Sequence, residues 1–493
     1  MHWLLAISSF LLMSLAQAAA MGTEEARHLL NRTGFGATPQ EITDFSRLSR
    51  EEAVERLLAG ATTEARTPMP PGVGDYVPPS RLRNLSEEEK KVWRRRQFEI
   101  GADLRGWWIE EMLHTSSPLT ERMTLFWHNH FVSSQQKVKS AWLMAQQNQL
   151  LRRHALGNFA DLLHAVAKDP AIIVYLDSVT NRKGQPNENF AREVMELFTL
   201  GEGHYTEQDI KEAARAYTGW SLAPQSGEFK WRPFAHDPGE KMVLGRSGNF
   251  DGDAVLDILL AQAATAEFIV GKLWREFVSP QPDVKTVGRI AQRFRDSGYE
   301  IRVALRELLL SDAFWAPEQR ATLVKSPVDL VVGTLRQFGF ETGDPLPFVF
   351  TLRQLGQDLF GPPNVKGWPG GEAWINSSTL LARKQFIERL LRGQEGMERL
   401  RTAGASDAQI ERVVLRAQSS AGGKRMNEEA RERVMRAMVA IRFDSADWFA
   451  RIGRLHLSPQ AVMLPGEAQA QGEAGNGIER LRQLALDPMY QLK

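Results

Sequence analysis

Two carboxylates and an arginine on one helix are the first candidates for chemistry in this sequence. The stretch Asn187 to Trp220 predicts two helices joined by a glycine-containing corner. At 100° per residue, Glu193 falls on the edge of the apolar arc of the first helix, with Glu196 just beyond it. A glutamate beside buried leucine and phenylalanine is costly to keep ionised unless a positive charge or a metal faces it. We therefore interpret Glu193 and Glu196 as candidate catalytic groups, with Arg192 as the orienting cation.

Histidines supply the candidate partners of these carboxylates. A His-x-His pair, His128 and His130, lies in the predicted helix LTERMTLFWHNHFVSS. Residues two apart on a helix differ by about 200°, so both could bind one ion only if the backbone unwinds there. Each is either a metal ligand or general base, or a hydrogen-bonded core histidine. The metal hypothesis is a divalent ion held by a subset of His128, His130, Glu193, His236 and Asp237, with His204 nearby.

Some of these candidates have a structural alternative. His236 and Asp237 lie at a predicted turn, where an aspartate often binds backbone amides instead of a metal. Trp368 and Trp374 lie in a Pro- and Gly-rich loop, GPPNVKGWPGGEAWINSS. Exposed, they would form a ligand or partner surface; packed inward, they would pin the loop to the core.

The elements that must position these residues are mainly helices. Apolar residues at i, i+3 and i+4 recur along the chain, and capping boxes start helices after Ser86 and Thr206. The pattern predicts a mainly α fold, a large multi-helix domain with a minor β-hairpin and long irregular loops. The hairpin is expected between Phe229–Phe234 and Lys241–Leu244. The apolar run 171–176 could be a strand or a buried helix.

The amino-acid composition excludes several classes of function. The chain has 493 residues, 25% of them charged, no cysteine and a formal net charge of +1. This balance gives no basis for nucleic-acid binding, and the absence of cysteine excludes disulfides and thiol chemistry. Residues 1–20 are typical of a signal peptide, which predicts a periplasmic or secreted protein without a stable membrane span once the signal is removed. An N-terminal membrane anchor is the alternative, but the apolar run is short for a span and small residues follow it. We expect a helical domain over 21–395 and a polar helical extension over 396–493, with a flexible linker at about 465–477.

Several long motifs together resemble the bacterial exported family catalogued as domain of unknown function 1800. They are HLLNRTGFGATPQE, ERMTLFWHNHFVSS, NENFAREVMELFTLGEGHYTEQDIKEAARAYTGW, HDPGEKMVLG, KLWREFV and LFGPPNVKGWPGGEAWINSSTLLAR. The similarity runs from about Arg27 to Phe386, and the closing DPMYQLK also fits. The resemblance implies an exported, mainly helical protein with a functional partner from a second exported family. It does not supply a reaction.

Two functions are favoured from the sequence, and a third, glycan binding, rests only on aromatic content. The first is an exported enzyme, metal-dependent or acid–base, with His128, Glu193, Glu196 and Arg192 in a helical core. The second is a non-catalytic envelope scaffold or chaperone that binds an exported partner protein. In the second case, the acids and histidines are internal polar pairs.

Overall fold

The structure is a computed structural model that describes residues 19–74, 76–406, 408–410, 412–413, 428–469 and 477–493. The predicted signal peptide at 1–20 and the linker expected at about 465–477 lie mostly outside the described residues.

The first half of the chain forms helices around the His-x-His segment and the Asn187 stretch. In chain order the α-helices are α1 (Gly22–Thr33), α2 (Pro39–Ser46), α3 (Arg50–Ala59), α4 (Pro79–Arg83), α5 (Glu87–His114), α6 (Pro118–His130), α7 (Gln135–Val138), α8 (Ala141–Arg153), α9 (Phe159–Ala167), α10 (Pro170–Tyr175), α11 (Glu188–Glu193) and α12 (Glu207–Ala216). A π-helical segment, Val194–Thr199, continues α11.

The second half is also helical. Its α-helices are α13 (Gly252–Leu260), α14 (Ala263–Phe277), α15 (Val284–Asp296), α16 (Ile301–Leu309), α17 (Asp312–Trp315), α18 (Pro327–Phe338), α19 (Leu346–Gln354), α20 (Ser377–Thr402), α21 (Glu428–Ala440), α22 (Ser445–Arg454), α23 (Pro459–Met463) and α24 (Ile478–Leu486). The predicted mainly α fold is confirmed. Helix α20 runs through residue 395, where the sequence pattern places the end of the first domain.

Capping chemistry explains where the helices around the site begin. The Ser86 and Thr206 hydroxyls accept from the amides three residues on, and the carboxylates of Glu89 and Asp209 accept from the capping amides. Both predicted capping boxes are therefore present. The run 171–176 is mostly helical, because the Asp169 carboxylate caps α10 and Pro170 occupies its first turn.

The strands of the described residues form two hairpins, so the predicted pairing of Phe229–Phe234 with Lys241–Leu244 is wrong. Strand β1 (Trp220–Leu222) pairs with β2 (Phe229–Trp231), and β3 (Lys241–Val243) pairs with β4 (Arg246–Gly248), both antiparallel. A tight turn at Leu244 and Gly245, both at positive φ, returns the chain directly from β3 to β4. The short helical turn Pro233–Ala235 ends β2 before it could reach β3.

One hydrophobic core extends from α1 to the last helix of the chain. It includes Leu29 of α1, Trp127 of α6, Trp274 of α14 and Leu481 of α24, all nearly inaccessible to solvent. Among the described residues, no single helix is long and apolar enough to cross a membrane. The consecutive helices α13 and α14 meet that criterion together, but they are bent by 73° at their junction.

Candidate functional site

A polar cavity of about 460 Å³ lies between α6, α14, the start of α18 and the loop that precedes α20. We call it the basic cavity, because its wall carries more basic than acidic side chains. The basic residues are Arg122, Lys272, Arg275, Lys366 and Lys493, and the acidic ones are Glu276 and Asp329. Of the residues singled out from the sequence, it includes His130, Trp368 and Trp374.

Lys272 of α14 and His130 at the end of α6 form the central contact of the basic cavity. The Lys272 Nζ lies 3.0 Å from His130 Nδ1 and 3.3 Å from the carbonyl oxygen of Leu197. The other ring nitrogen, Nε2, lies 3.2 Å from the carbonyl oxygen of Phe198. An ammonium can only donate. Nδ1 therefore accepts from Lys272 and the Nε2–H donates to Phe198, which fixes the neutral tautomer.

The environment lowers the pKa of both groups. Burial, followed by the neighbouring charge of Arg275, lowers the pKa of Lys272 to about 8. Burial, followed by the charge of Lys272, holds the pKa of His130 well below its ordinary value. A lysine amine with such a pKa is partly neutral near pH 8 and can accept a proton or act as a nucleophile.

The carbonyl groups that hold this pair come from the π-helical segment Val194–Thr199. A π-helix has wider turns than an α-helix, so the spacing of 100° per residue does not apply beyond Val194. The position predicted for Glu196 on the helix surface is therefore incorrect. Within the segment, the Thr199 hydroxyl donates to the carbonyl of Val194 at 2.6 Å. The carbonyls of Leu197 and Phe198 are then available to Lys272 and His130. π-Helical turns occur frequently at functional sites.

A buried ionic network forms the opposite wall. Arg122 of α6 donates to Asp329 and to the carbonyl of Gly34, and its Nη1 lies 3.3 Å from Glu276. The Lys493 Nζ lies 2.9 Å from Asp329. Burial acts to raise the pKa of Asp329, but the charges of Arg122 and Lys493 outweigh it and hold the pKa below its ordinary value. The network neutralises these two cations and fixes their positions.

Trp368 and Trp374 are buried, at 4% and 6% exposure, and therefore do not form the exposed surface that one sequence interpretation requires. Asn129, between the two histidines, holds their loop: its side-chain oxygen accepts from the Trp368 amide at 2.7 Å. Gly367 has φ +82°, and a Cβ there would lie 2.3 Å from that oxygen. Packing against α6 thus explains both the tryptophans and this glycine, although the tryptophans still contact the cavity.

His128 is not part of the basic cavity. It is fully buried, with its ring 5.5 Å from those of Trp108 and Phe360 and 5.7 Å from that of Trp368. Burial, followed by the charge of Arg105, lowers its pKa to about 3, so the ring is neutral at ordinary pH. Neither ring nitrogen has a hydrogen-bond partner among the described residues. As the helical geometry indicates, His128 and His130 occupy different environments.

The carboxylates of the Asn187 stretch lie at the outer side of the π-helical segment. Glu196 accepts from the Tyr205 hydroxyl at 3.0 Å and lies 3.9 Å from Lys366 on the cavity rim. Burial, followed by the charge of Glu196, raises the pKa of Glu193. In the described part of the chain, no hydrogen bond or ion pair joins either acid to His128 or His130. The structure instead gives His130 a lysine partner.

The remaining predicted site residues have structural partners. Arg192 pairs with Glu207 at 2.7 Å across to α12. Asp237 accepts from Arg215 at 2.9 Å and from the Gly239 amide at 2.9 Å, and the Arg215 contact lowers its pKa to about 2. The His236 Nδ1 lies 3.0 Å from the carbonyl of Thr218. His236 and Asp237 thus stabilise a turn, the alternative considered from the sequence.

The proposed metal ligands do not assemble. Among the residues that the structure describes, no group of three or more His, Asp or Glu side chains is arranged to hold a metal ion. The ring nitrogens of His130 already bind Lys272 and a carbonyl, and Asp237 already binds an arginine. This donor set does not fit a metal, and we derive no metal-dependent step from it.

Fold and site together define a class: a mainly helical protein with a basic cavity, in which a half-buried lysine contacts a buried histidine. The family model described as protein of unknown function DUF1800 matches residues 28–458. The chain therefore belongs to that family, and the match extends well past residue 395. No curated protein and no solved structure matches the chain.

Sequence reasoning missed Lys272, Arg122, Asp329 and Asn129. Lys272 lies in the KLWREFV motif, where the i, i+3 and i+4 spacing of apolar residues predicts a helix but no functional residue. A lysine beside the buried arc of such a helix was the available signal. Arg122 lies in the predicted His-x-His helix and Asp329 in a helix distant in sequence, and only the fold shows that the two helices meet at one ionic network.

Proposed function

We propose that the protein is an exported bacterial enzyme that carries out acid–base chemistry on a small anionic substrate in the basic cavity. Lys272 is the group that exchanges a proton with the substrate, and Arg275 binds its negative charge. His130 is a positioning residue that acts through Lys272. The observation that carries this proposal is the contact of the Lys272 amine with His130 Nδ1 at 3.0 Å, at the wall of a cavity.

The charge of the cavity favours an anion. Arg122 and Lys493 are compensated by Asp329 and Glu276. Lys272 and Arg275, by contrast, have no carboxylate partner in the part of the chain that the structure describes. They lie three residues apart on α14, so their side chains are close neighbours on the helix surface. An entering carboxylate or phosphate would relieve the repulsion between these two cations.

The geometry favours lysine over histidine as the reacting group. Both nitrogens of His130 are engaged, whereas the amine of Lys272 donates to two neutral acceptors and keeps one further N–H. Once deprotonated, that amine has a lone pair to accept a substrate proton. Its pKa of about 8 places this change near neutral pH, as efficient acid–base catalysis requires.

Reductive labelling with two aldehydes tests the proposal. The two are pyridoxal 5′-phosphate and pyridoxal. Only the first carries a phosphate, and the free 5′-hydroxyl of pyridoxal also closes onto its aldehyde as a hemiacetal. Labelling of Lys272 is therefore expressed relative to that of the exposed Lys285 in the same sample, which cancels the difference in free aldehyde. The lysine nitrogen attacks the aldehyde carbon and water leaves; borohydride then delivers hydride to the C=N bond to give a stable secondary amine. We expect the phosphate to accelerate labelling of Lys272 at least about ten-fold, as one charge-assisted contact of about 1.4 kcal/mol would.

The controls separate the cavity from the surface. Arg275→Gln should remove most of the preference for the phosphate compound at Lys272, whereas Arg289→Gln, at an exposed arginine paired with Glu307, should leave it unchanged. Peptide mass spectrometry locates the label. The same ratio of Lys272 to Lys285 labelling with both aldehydes, or no label at Lys272, would overturn the proposal.

The alternative function, a non-catalytic scaffold or chaperone, is now supported only by the family resemblance. Its binding surface was the pair Trp368 and Trp374, and both side chains are buried. Export itself remains part of the proposal and is supported by the apolar segment and the small residues within positions 1–20. Fractionation of the native host, followed by N-terminal sequencing of the mature protein, tests export directly.

A further inference from the structure

A second, larger cavity shares no lining residue with the basic cavity. It has a volume of about 590 Å³ and is bordered by α4, the first half of α5, α7 and α19. We call it the α5 groove. Its apolar wall includes Leu82, Phe98, Val349 and Phe350, and Phe98 is 60% exposed. An exposed phenylalanine in a concave apolar site is typical of a ligand-binding groove.

The rim of the α5 groove is strongly basic. Its described lining includes one acidic residue, Asp358, and six basic ones, Arg83, Lys90, Arg94, Arg105, Lys139 and Arg353. That acid is already shared, 2.7 Å from Arg105 and 4.0 Å from Arg353. The rim therefore carries an excess of positive charge over an apolar wall.

Three of these cations lack a compensating acid. Lys90 pairs with Glu87 at 2.8 Å, but within the described residues Arg83, Arg94 and Lys139 contact no carboxylate. The indole Nε1 of Trp93, which also borders the groove, is buried and has no acceptor among the described residues. A buried donor without a partner is costly, and an acidic ligand group would satisfy it.

We propose that the α5 groove binds a single-chain anionic amphiphile, a long-chain fatty acid, with its alkyl chain along Phe98 and Phe350 and its carboxylate at Arg83 and Arg94. The apolar wall accounts for the chain, and the unpaired arginines account for the acid. Neither feature alone specifies this ligand class, whereas a neutral lipid would leave the arginines uncompensated. The site is independent of Lys272, so it extends the function proposed for the basic cavity.

Fluorescence binding of cis-parinaric acid to the full-length protein tests this site. Palmitate should displace the probe, and methyl palmitate, which lacks the charge, should do so at least about ten-fold less well. Arg83→Gln combined with Arg94→Gln should weaken probe binding at least about ten-fold. Arg95→Gln, next to Arg94 in sequence but outside the groove, should leave it unchanged. Phe98→Asp, at an exposed position that does not threaten folding, should also weaken binding.

Several outcomes would overturn this inference. Equal displacement by palmitate and its methyl ester would show that the basic rim plays no part. An equal loss of affinity in Arg95→Gln and in the double variant would place the ligand elsewhere. Binding to phosphatidylglycerol vesicles without binding of the soluble fatty acid would identify a membrane surface instead. A dimer that dissociates on Phe98→Asp would show that a second copy of the chain covers the groove.

Discussion

The protonation of Lys272 gives the sharpest test of the basic cavity. A pKa of about 8 means that about a quarter of the amine is neutral at about pH 7.5, against about 0.1% for an ordinary exposed lysine. The neutral form is thus about 200-fold more abundant. A less basic amine also attacks more slowly. With the dependence of rate on pKa that thiols follow, this pKa difference slows attack about ten-fold. Lys272 should therefore react about 20-fold faster than an ordinary exposed lysine at this pH.

Competitive acetylation with trace acetic anhydride across a pH series measures this protonation directly. The labelling of Lys272 should reach half its maximum near pH 8, and the exposed Lys285, which lies outside the cavity, serves as an internal reference. The midpoint is informative even if the cavity slows access, because access changes the rate and not the pH at half-maximum. Arg275→Gln should raise the midpoint, since it removes a neighbouring positive charge, but should not restore an ordinary value while burial persists.

The result that would refute the reasoning is a midpoint at or above about pH 10 for Lys272. The ammonium would then be well solvated or paired with an acid, and it could not serve as a base near neutral pH. A midpoint near 8 that Arg275→Gln leaves unchanged would assign the whole shift to burial and would remove the argument that the two cations recruit an anion.

Three further predictions concern stability and are measured by urea unfolding. Asp329→Asn should lower the free energy of unfolding by about 3–5 kcal/mol, because it leaves Arg122 buried without its main counter-charge. Asp447→Asn, at an exposed ion pair, should lower it by less than about 1 kcal/mol. Equal losses would contradict this prediction. Gly367→Ala should destabilise more than Gly370→Ala by about 1 kcal/mol or more, because both sites have positive φ but only the first Cβ would meet Asn129; similar losses would contradict the close approach. For His128, whose pKa is lowered to about 3, the unfolded state binds a proton below about pH 6.5 while the folded state does not. The free energy of unfolding therefore decreases as pH falls from about 6.5 towards 3. His128→Leu should make this decrease smaller by about 1.4 kcal/mol per pH unit. The same pH dependence in the variant would show that the ring is protonated in the folded state.

The sequence predicts the fold class and the two capping boxes because these depend on local chemistry. Hydrophobic spacing identifies a helix whatever it packs against, and the contacts of Thr206 and Asp209 span three residues. The hairpin pairing failed for a related reason. Strand pairing depends on the turn that joins two strands. The tight turn after β3 pairs it with β4, the next strand, instead of with the more distant β2.

The composition of the site was less predictable because it depends on which helices meet. Helical projection correctly separates His128 from His130, but it cannot show that His130 faces α14. The interpretation of Glu193 assumed regular α-helix, and the π-helical segment changes the angle at which the following residues project. The premise that a charged group among apolar neighbours requires a compensating partner or a function applies to Lys272 as well as to Glu193.

The energetics of Lys272 argue for a functional rather than a stabilising role. Its pKa is depressed, so the fold disfavours the ammonium and gains nothing from it below about pH 8. The ionic network on the opposite wall is the useful comparison, because there each buried cation has an acid. Within the cavity wall, Arg122 and Lys493 are paired with Asp329, whereas Lys272 lies against an imidazole and a carbonyl, so one wall carries a cation without a carboxylate among the described residues. Strained or destabilising groups of this kind are tolerated where activity requires them, which is why the basic cavity is the place to look for the substrate.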